Sequence, residues 1–317
     1  MATSGPRDEQ PVREVLDDPF RSRIVAACIE REMTRSEFAD REGLDADEMK
    51  PRFEALDRAR FLAVRRGKAR GFRCNFYSAR RAALFKNHEF EEMRPERRHV
   101  CSRTTLSCFL GRFGRAWFEQ SLDFRHPSHV SYRTLFLDDE GFRELAPRFE
   151  AALDLQQEVQ AASRVRLAEV EGLPSPATGA LFLFESPLED VQAGSSSRLI
   201  STEGEELPLG SLERRKLTGR TLVGLLRLCA SGLRTGTLDH RSDSHVSWAP
   251  LLLDGAGFRE LEDGLILTRS FVDEVERKSL RRLPRSGESP IPITVGFVSF
   301  ESPAGDAPAK KVKNEPR

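Results

Sequence analysis

Two stretches decide how this chain is built: SHVSYRTLFLDDEGFREL at 128–145 and SHVSWAPLLLDGAGFREL at 244–261. They lie 116 residues apart, and the same offset relates FESP at 184–187 to FESP at 300–303. Sliding Thr105–Pro187 onto Thr221–Pro303 without a gap leaves 30 of 83 positions identical, far above the handful that chance supplies. The second two-thirds of the chain is therefore a duplication, and self-similarity at a fixed period has to be read before any single motif.

Substituted positions show what each copy requires. Leu106, Phe109, Leu110, Phe113 and Trp117 recur as Leu222, Leu225, Leu226, Cys229 and Leu233. That spacing is one apolar stripe of an amphipathic helix. A β-prone run follows, Val130–Leu137 and Val246–Leu253, with Pro250 pointing to an edge strand or kink in the second copy. Asp138 and Asp254 stand as N-caps ahead of a second stripe: Phe142, Leu145, Phe149, Ala152 and Val159, matched by Phe258, Leu261, Leu265, Thr268 and Val275. Pro174, Pro176, Pro290 and Pro292 break the chain before final strands at Leu181–Phe184 and Phe297–Phe300. Each unit reads helix–strand–helix–strand. Two strands are marginal alone, so the copies are expected to pack together as an intramolecular pseudo-dimer, with a homodimer of chains as the alternative assembly.

Charge separates along the first hundred residues. The chain as a whole is neutral, with 50 basic and 50 acidic side chains, which excludes a uniformly basic coat protein or an acidic solvating one. Residues 1–51 nevertheless hold 8 basic and 13 acidic side chains, and residues 52–98 hold 14 and 6. Asp18-Pro19 opens a helix through about Glu32, with Ile24, Val25 and Cys28 on its apolar face. Thr34 and Glu37 form a capping box for a second helix that carries Phe38 and ends at Gly43. Asp45 and Glu48 start a third, with Met49, Phe53 and Leu56 on one face; Pro51 suits it only if the helix begins near Asp47. Phe61–Arg65 and Phe72–Phe76 then flank the turn-rich RGKARG as a hairpin.

Three short helices and a hairpin are the layout of a winged helix-turn-helix. The segment DPFRSRIV followed by TRSEFADREGLDADEMKPRFEALDRARFLAVRRGKARGFRCNFY, roughly Asp17–Tyr77, resembles the ArsR-like winged helix-turn-helix transcriptional regulators. The pattern LDxRxxSHVSxxxLxLDxxGFREL is similar to the C-terminal half of actinobacterial-type members, which usually carry it once. The resemblance implies a DNA-binding regulator of α+β class. Its expected parts are a disordered N-terminus at 1–14, a head with connecting helix at 15–100 and module copies at 101–187 and 220–303. A linker at 188–219 joins the copies, and a disordered tail occupies 304–317. Double-stranded DNA is the expected partner, with an unknown small-molecule effector as a further one.

In such a head the third helix enters the major groove and the wing follows a phosphate backbone. Direct readout falls to Lys50 and Arg52, and backbone anchoring to Arg65, Arg66, Lys68, Arg70 and Arg73. About four phosphates neutralised give a log–log salt slope near −3.6. Asp45, Asp47 and Glu48 at the same helix end oppose DNA, since carboxylates repel the backbone more often than they read cytosine. The alternative is therefore an interaction scaffold that has lost specific DNA recognition.

The remaining polar candidates have plainer readings. His129 and His245 could meet across the pseudo-twofold, but a local hydrogen bond at each strand start is the expectation. His99, Cys101 and Cys108 read as ordinary side chains rather than metal ligands, and Gly111 and Gly114 as sites of close helix packing. Trp117, Tyr132 and Trp248 are candidates for lining a cavity between the copies, or for filling the core. No catalytic constellation, cofactor motif or metal set is expected, so the chain reads as a non-enzyme. No membrane span or secretory leader is expected, and five Cys without a CxxC fit a reducing cytoplasm.

Overall fold

The structure, a computed structural model, describes residues 18–30, 32–59, 61–69, 71–79, 90–122, 129–170, 175–189, 208, 211–287 and 289–301. Among these it is an α+β protein with seven helices and two antiparallel sheets, and the described residues fall into two compact units, 18–79 and 90–301. No described helix is long and apolar enough to cross a membrane.

The first unit contains α1 (Pro19–Glu30), β1 (Met33–Thr34), α2 (Arg35–Glu42), α3 (Ala46–Arg58), β2 (Leu62–Ala69) and β3 (Phe72–Ala79). The caps read from sequence set the helix ends. Thr34 and Glu37 exchange both bonds of the capping box, Asp45 accepts from the Asp47 amide, and Gly43 closes α2 at φ 66°. Such a φ is cheap only without a Cβ. Ile24, Phe38, Met49, Phe53 and Leu56 form the core, with the Phe53 ring 5.8 Å from Phe38 and 4.6 Å from Tyr77. Two features depart from the expectation. Met33–Thr34 pairs with β3 as a third strand, and most of RGKARG is strand, because Ala69 pairs with Phe72 across a two-residue turn. Gly71, at φ 85°, makes that turn.

The second unit runs α4 (Pro95–Phe118), β4 (His129–Leu137), α5 (Asp139–Glu169), β5 (Ser175–Glu185), then α6 (Leu212–Thr235), β6 (His245–Leu253), α7 (Gly255–Ser286) and β7 (Ile291–Glu301). The same order of elements occurs twice. Residue 101 lies inside α4, so the connecting helix and the first repeat helix are one. The sheet order is β4-β7-β5-β6, with the last strand of each copy at the centre. Leu181 pairs with Phe297, its own counterpart 116 residues on, and the register is symmetric about that pair. His129↔Ser299 is matched by Leu183↔His245 in the same way. Pro250 sits on an edge strand, as its missing N–H requires, and the edge amide of Leu252 donates to Gln160 Oε1 at 3.0 Å.

Helices cover both faces of this sheet. Phe109 of α4 meets Phe182 at 5.5 Å, while Phe149 of α5 stacks on Phe297 at 5.3 Å; Leu181, its partner, points to the same face. Each copy's helices pack on the other copy's edge strand: α4 and α5 on β6, α6 and α7 on β4. The copies are interwoven. All ten residues of the second stripe are buried as their spacing predicts. The first stripe is rotated from its predicted position. Leu110 and Trp117 are about half exposed, and Thr105, Arg112 and Ala116 are buried instead, because α4 presents its other flank to the sheet.

Two crosswise clasps seal the long helices. Asp138, capping α5 through the Gly141 amide, accepts from Arg282 Nε and Nη2 at 2.5 and 2.8 Å and from Ser279 Oγ at 2.8 Å. Asp254, capping α7 through Gly257, takes Arg166 at 2.7 and 2.9 Å and Ser163 at 3.0 Å. Asp, Gly, Ser and Arg are identical between the copies at these positions. Glycine is needed here by proximity: a Cβ on Gly141 would lie 2.1 Å from Ser279 Oγ, and one on Gly257 2.1 Å from Ser163 Oγ.

Gly141→Ala should therefore destabilise the unit by about 1–3 kcal/mol, the range for overpacking, and Ser279→Ala should recover part of the loss. Chemical denaturation of the two single variants and the double variant measures the coupling. The arginine, the capping amide and the serine hydroxyl hold Asp138 and Asp254 well below the usual carboxylate range. Groups whose folded pKa is depressed stabilise above their unfolded value, about 3.9 for Asp, and lose that contribution as pH falls below it. The urea midpoint should fall as pH drops from about 5 towards 3, and Asp138→Asn with Asp254→Asn should flatten that dependence.

Candidate nucleic-acid interface

The cations of the first unit are sorted by strand geometry. Successive side chains of a strand point to opposite faces, and paired residues share a face. Arg66 pairs with Asn75 and Lys68 with Arg73, so Arg66, Lys68, Arg73 and Asn75 lie on the face that carries Tyr77 and, at its base, meets α3. All four are exposed. Arg65 lies on the opposite face, with its guanidinium 4.6 Å from the ring centroid of its partner Phe76 and bonded to Glu32 at 2.9 and 2.5 Å. Glu32 raises the Arg65 pKa, so that charge is already matched. Arg70 lies outside the described residues.

The two candidates for base readout part company. Lys50 is exposed on α3, its ammonium 4.0 Å from Glu54. Arg52 is engaged within the unit: Nε donates to Asp18 at 2.7 Å, Nη1 donates to the Glu48 carbonyl, and the guanidinium lies 5.0 Å from the Phe20 ring centroid. It fastens α3 to the start of α1. Arg23 with Glu42, and Arg35 with Asp47 at 3.2 Å, make the corresponding links from α1 to α2 and from α2 to α3. On α3 the exposed charged side chains are Asp47, Glu48, Glu54 and Asp57 against Lys50 and Arg58. That surface is net acidic, and Pro51 is exposed in its middle.

The other sequence candidates fall elsewhere. His129 and His245 start β4 and β6, the opposite edges of the sheet, so they do not meet. His245 is buried against Phe149, its Nε2 2.7 Å from Ser247 Oγ, and burial pushes its pKa down to about 4. The imidazole is thus neutral near pH 7. His99 Nδ1 pairs with Asp239 Oδ2 at 3.2 Å, and Cys101 Sγ lies 3.8 Å from Met93 Sδ; Cys108 is half-buried. Gly111 and Gly114 face open space, so close helix packing is not their role; Gly219 and Gly224 of α6 provide it, under Trp117 and Tyr132. Tyr132 and Trp248 are core residues, whereas Trp117 does line a cavity.

The Arg52–Asp18 pair joins residues 34 apart and is not legible from sequence spacing. The Asp18 N-cap and Phe20 were visible signals, but only the packing of α3 on α1 brings Arg52 to them. No protein-family model matches the chain, and no curated protein matches it. Replacing Arg52 by Ala should lower the stability of the first unit by about 1 kcal/mol, the scale of a half-exposed ion pair with a cation–π contact. Denaturation followed by circular dichroism checks this; an unchanged midpoint removes Arg52 from the framework of the unit.

Proposed function

We propose that the chain is a DNA-binding regulator whose first unit is a winged helix-turn-helix, with α2, the Gly43 turn and α3 as the helix-turn-helix and β2–β3 as the wing. One observation carries the reading: Arg66, Lys68 and Arg73 stand exposed together on one face of the hairpin, next to Asn75, with no carboxylate on that face of either strand. Three cations on one face are suited to a phosphate backbone, which is where most affinity of such complexes resides. The duplicated second unit acts as a built-in dimer, so one chain carries one head. A single head reads half of what a palindromic operator offers to a dimer.

Of Lys50 and Arg52 only Lys50 is left for base readout, because Arg52 is committed to Asp18. With a net acidic α3 surface this favours weak sequence preference. That same surface supports a second reading, a protein-interaction scaffold that keeps the winged fold and recruits a basic partner.

Anisotropy titrations on mixed-sequence duplex at low salt separate the two. A regulator bound through the wing gives a log–log salt slope near −2.7 if three phosphates are neutralised. Replacing Arg66, Lys68 and Arg73 together with Ala should weaken binding to all sequences alike and remove most of that slope. Salt-independent binding, or affinity unchanged in the triple variant, overturns the assignment and leaves the scaffold.

A further inference from the structure

The second unit has a cavity of about 280 Å³ where the end of α4 meets the first turn of α6, one helix from each copy. Its apolar wall is Ala116, Trp117, Leu122 and Leu212; its polar side is Gln120, Arg215 and Lys216. The volume is just under the roughly 300–1,000 Å³ usual for small-molecule sites, and an apolar wall with a few convergent polar groups is their ordinary composition.

The wall is preorganised. Gly219 lets α6 approach the Trp117 ring so closely that a Cβ there would lie 2.0 Å from indole Cζ3, and Phe113 braces the indole at 6.2 Å between centroids. The indole is held yet 44% exposed. Arg215 Nε is buried and has no hydrogen-bond partner, a costly arrangement unless something else accepts from it. Leu212, Arg215 and Lys216 stand in the first turns of a 24-residue helix, whose N-terminal end favours negative charge.

The duplication supplies a control. At the symmetry-related place the other copy has Leu233 for Trp117, Leu238 for Leu122, and Glu96, His99 and Val100 for Leu212, Arg215 and Lys216. A further difference lies at Gln120, which holds φ 59° where the other copy uses Gly236 at φ 78°. The same fold is built with either set, so the aromatic wall and the two cations are not demanded by folding.

We propose that this cavity binds a small aromatic carboxylate of the arylacetate class, its ring against the Trp117 indole and the apolar wall, its carboxylate on Arg215 and Lys216. The charge of the cavity selects an anion, its size a single ring with a short acid arm, and the exposed indole a planar ring. The site lies wholly within the second unit and does not depend on the first unit contacting DNA.

The test is isothermal titration of the full chain, without DNA, with phenylacetate, and with phenylacetamide as its uncharged isostere. Saturable phenylacetate binding is expected with a Kd on the order of 1 mM, as suits a ligand of so few atoms. Phenylacetamide should bind at least about tenfold more weakly, the loss of a charge-assisted contact. Arg215→Ala with Lys216→Ala should cost about as much, and Trp117→Leu, the other copy's own residue, should abolish binding with the far-ultraviolet spectrum unchanged. The Arg66, Lys68 and Arg73 triple alanine variant should bind phenylacetate like the parent, which separates this site from the wing. Equal affinity for acid and amide, parent-like binding in the double variant, or no saturable heat up to about 10 mM each overturns the proposal.

Discussion

The antiparallel pairing of β5 with β7 is the constraint on which the second unit depends. Neither copy has a sheet of its own: each supplies two strands, and its final strand finds a partner only in the other copy. Two strands are marginal alone, and here the two strands of one copy are not even neighbours, so each half relies on the other for its sheet. Centring the pairing on Leu181↔Phe297 fixes everything else by symmetry. It places β4 and β6 at opposite edges and brings each long helix onto the other copy's strand.

The clasps show how two copies stay locked once the sheet has formed. Asp138 and Asp254 each satisfy the N-terminus of their own helix and the arginine near the end of the other, so one carboxylate serves a local and a long-range role. A short side chain reaches both only because Gly141 and Gly257 let the helices approach. Away from the clasps and the strands the copies have diverged. Arg133 of β4 bonds Asp273 and Glu276 of α7, whereas Ala249, Gln157 and Gln160 stand at the equivalent positions of the other half. At one end of the α4–α6 contact the copies differ in the same way, with Trp117, Arg215 and Lys216 against Leu233, His99 and Val100.

The first unit divides its charges by the same logic of place. Cations near the helices are spent on holding them together, as Arg23, Arg35 and Arg52 do with Glu42, Asp47 and Asp18. Cations towards the end of the hairpin, Arg66, Lys68 and Arg73, lie beyond reach of those carboxylates and stay exposed. A basic run in sequence does not distinguish the two groups. Strand alternation does, once the register is known.

Much of this protein was legible in its sequence, because short-range physics is written there. Thr34 with Glu37, Gly43, Asp45, Asp138 and Asp254 marked helix ends, since caps act within a few residues. The second stripe was right at all ten positions because one face of a long helix meets a single surface. Repetition of SHVS, GFREL and FESP disclosed two equal units, and Pro250 disclosed an edge. Contacts between distant residues required the tertiary structure. It decided which flank of α4 is buried, that Arg52 turns to Asp18 and Phe20, that Met33–Thr34 completes a sheet, and that Trp117 lines the α4–α6 cavity while Tyr132 and Trp248 are buried. Periodicity fixes that a helix has a buried face. The angle at which its neighbours dock fixes which residues lie at the centre of that face and which are left at its edge.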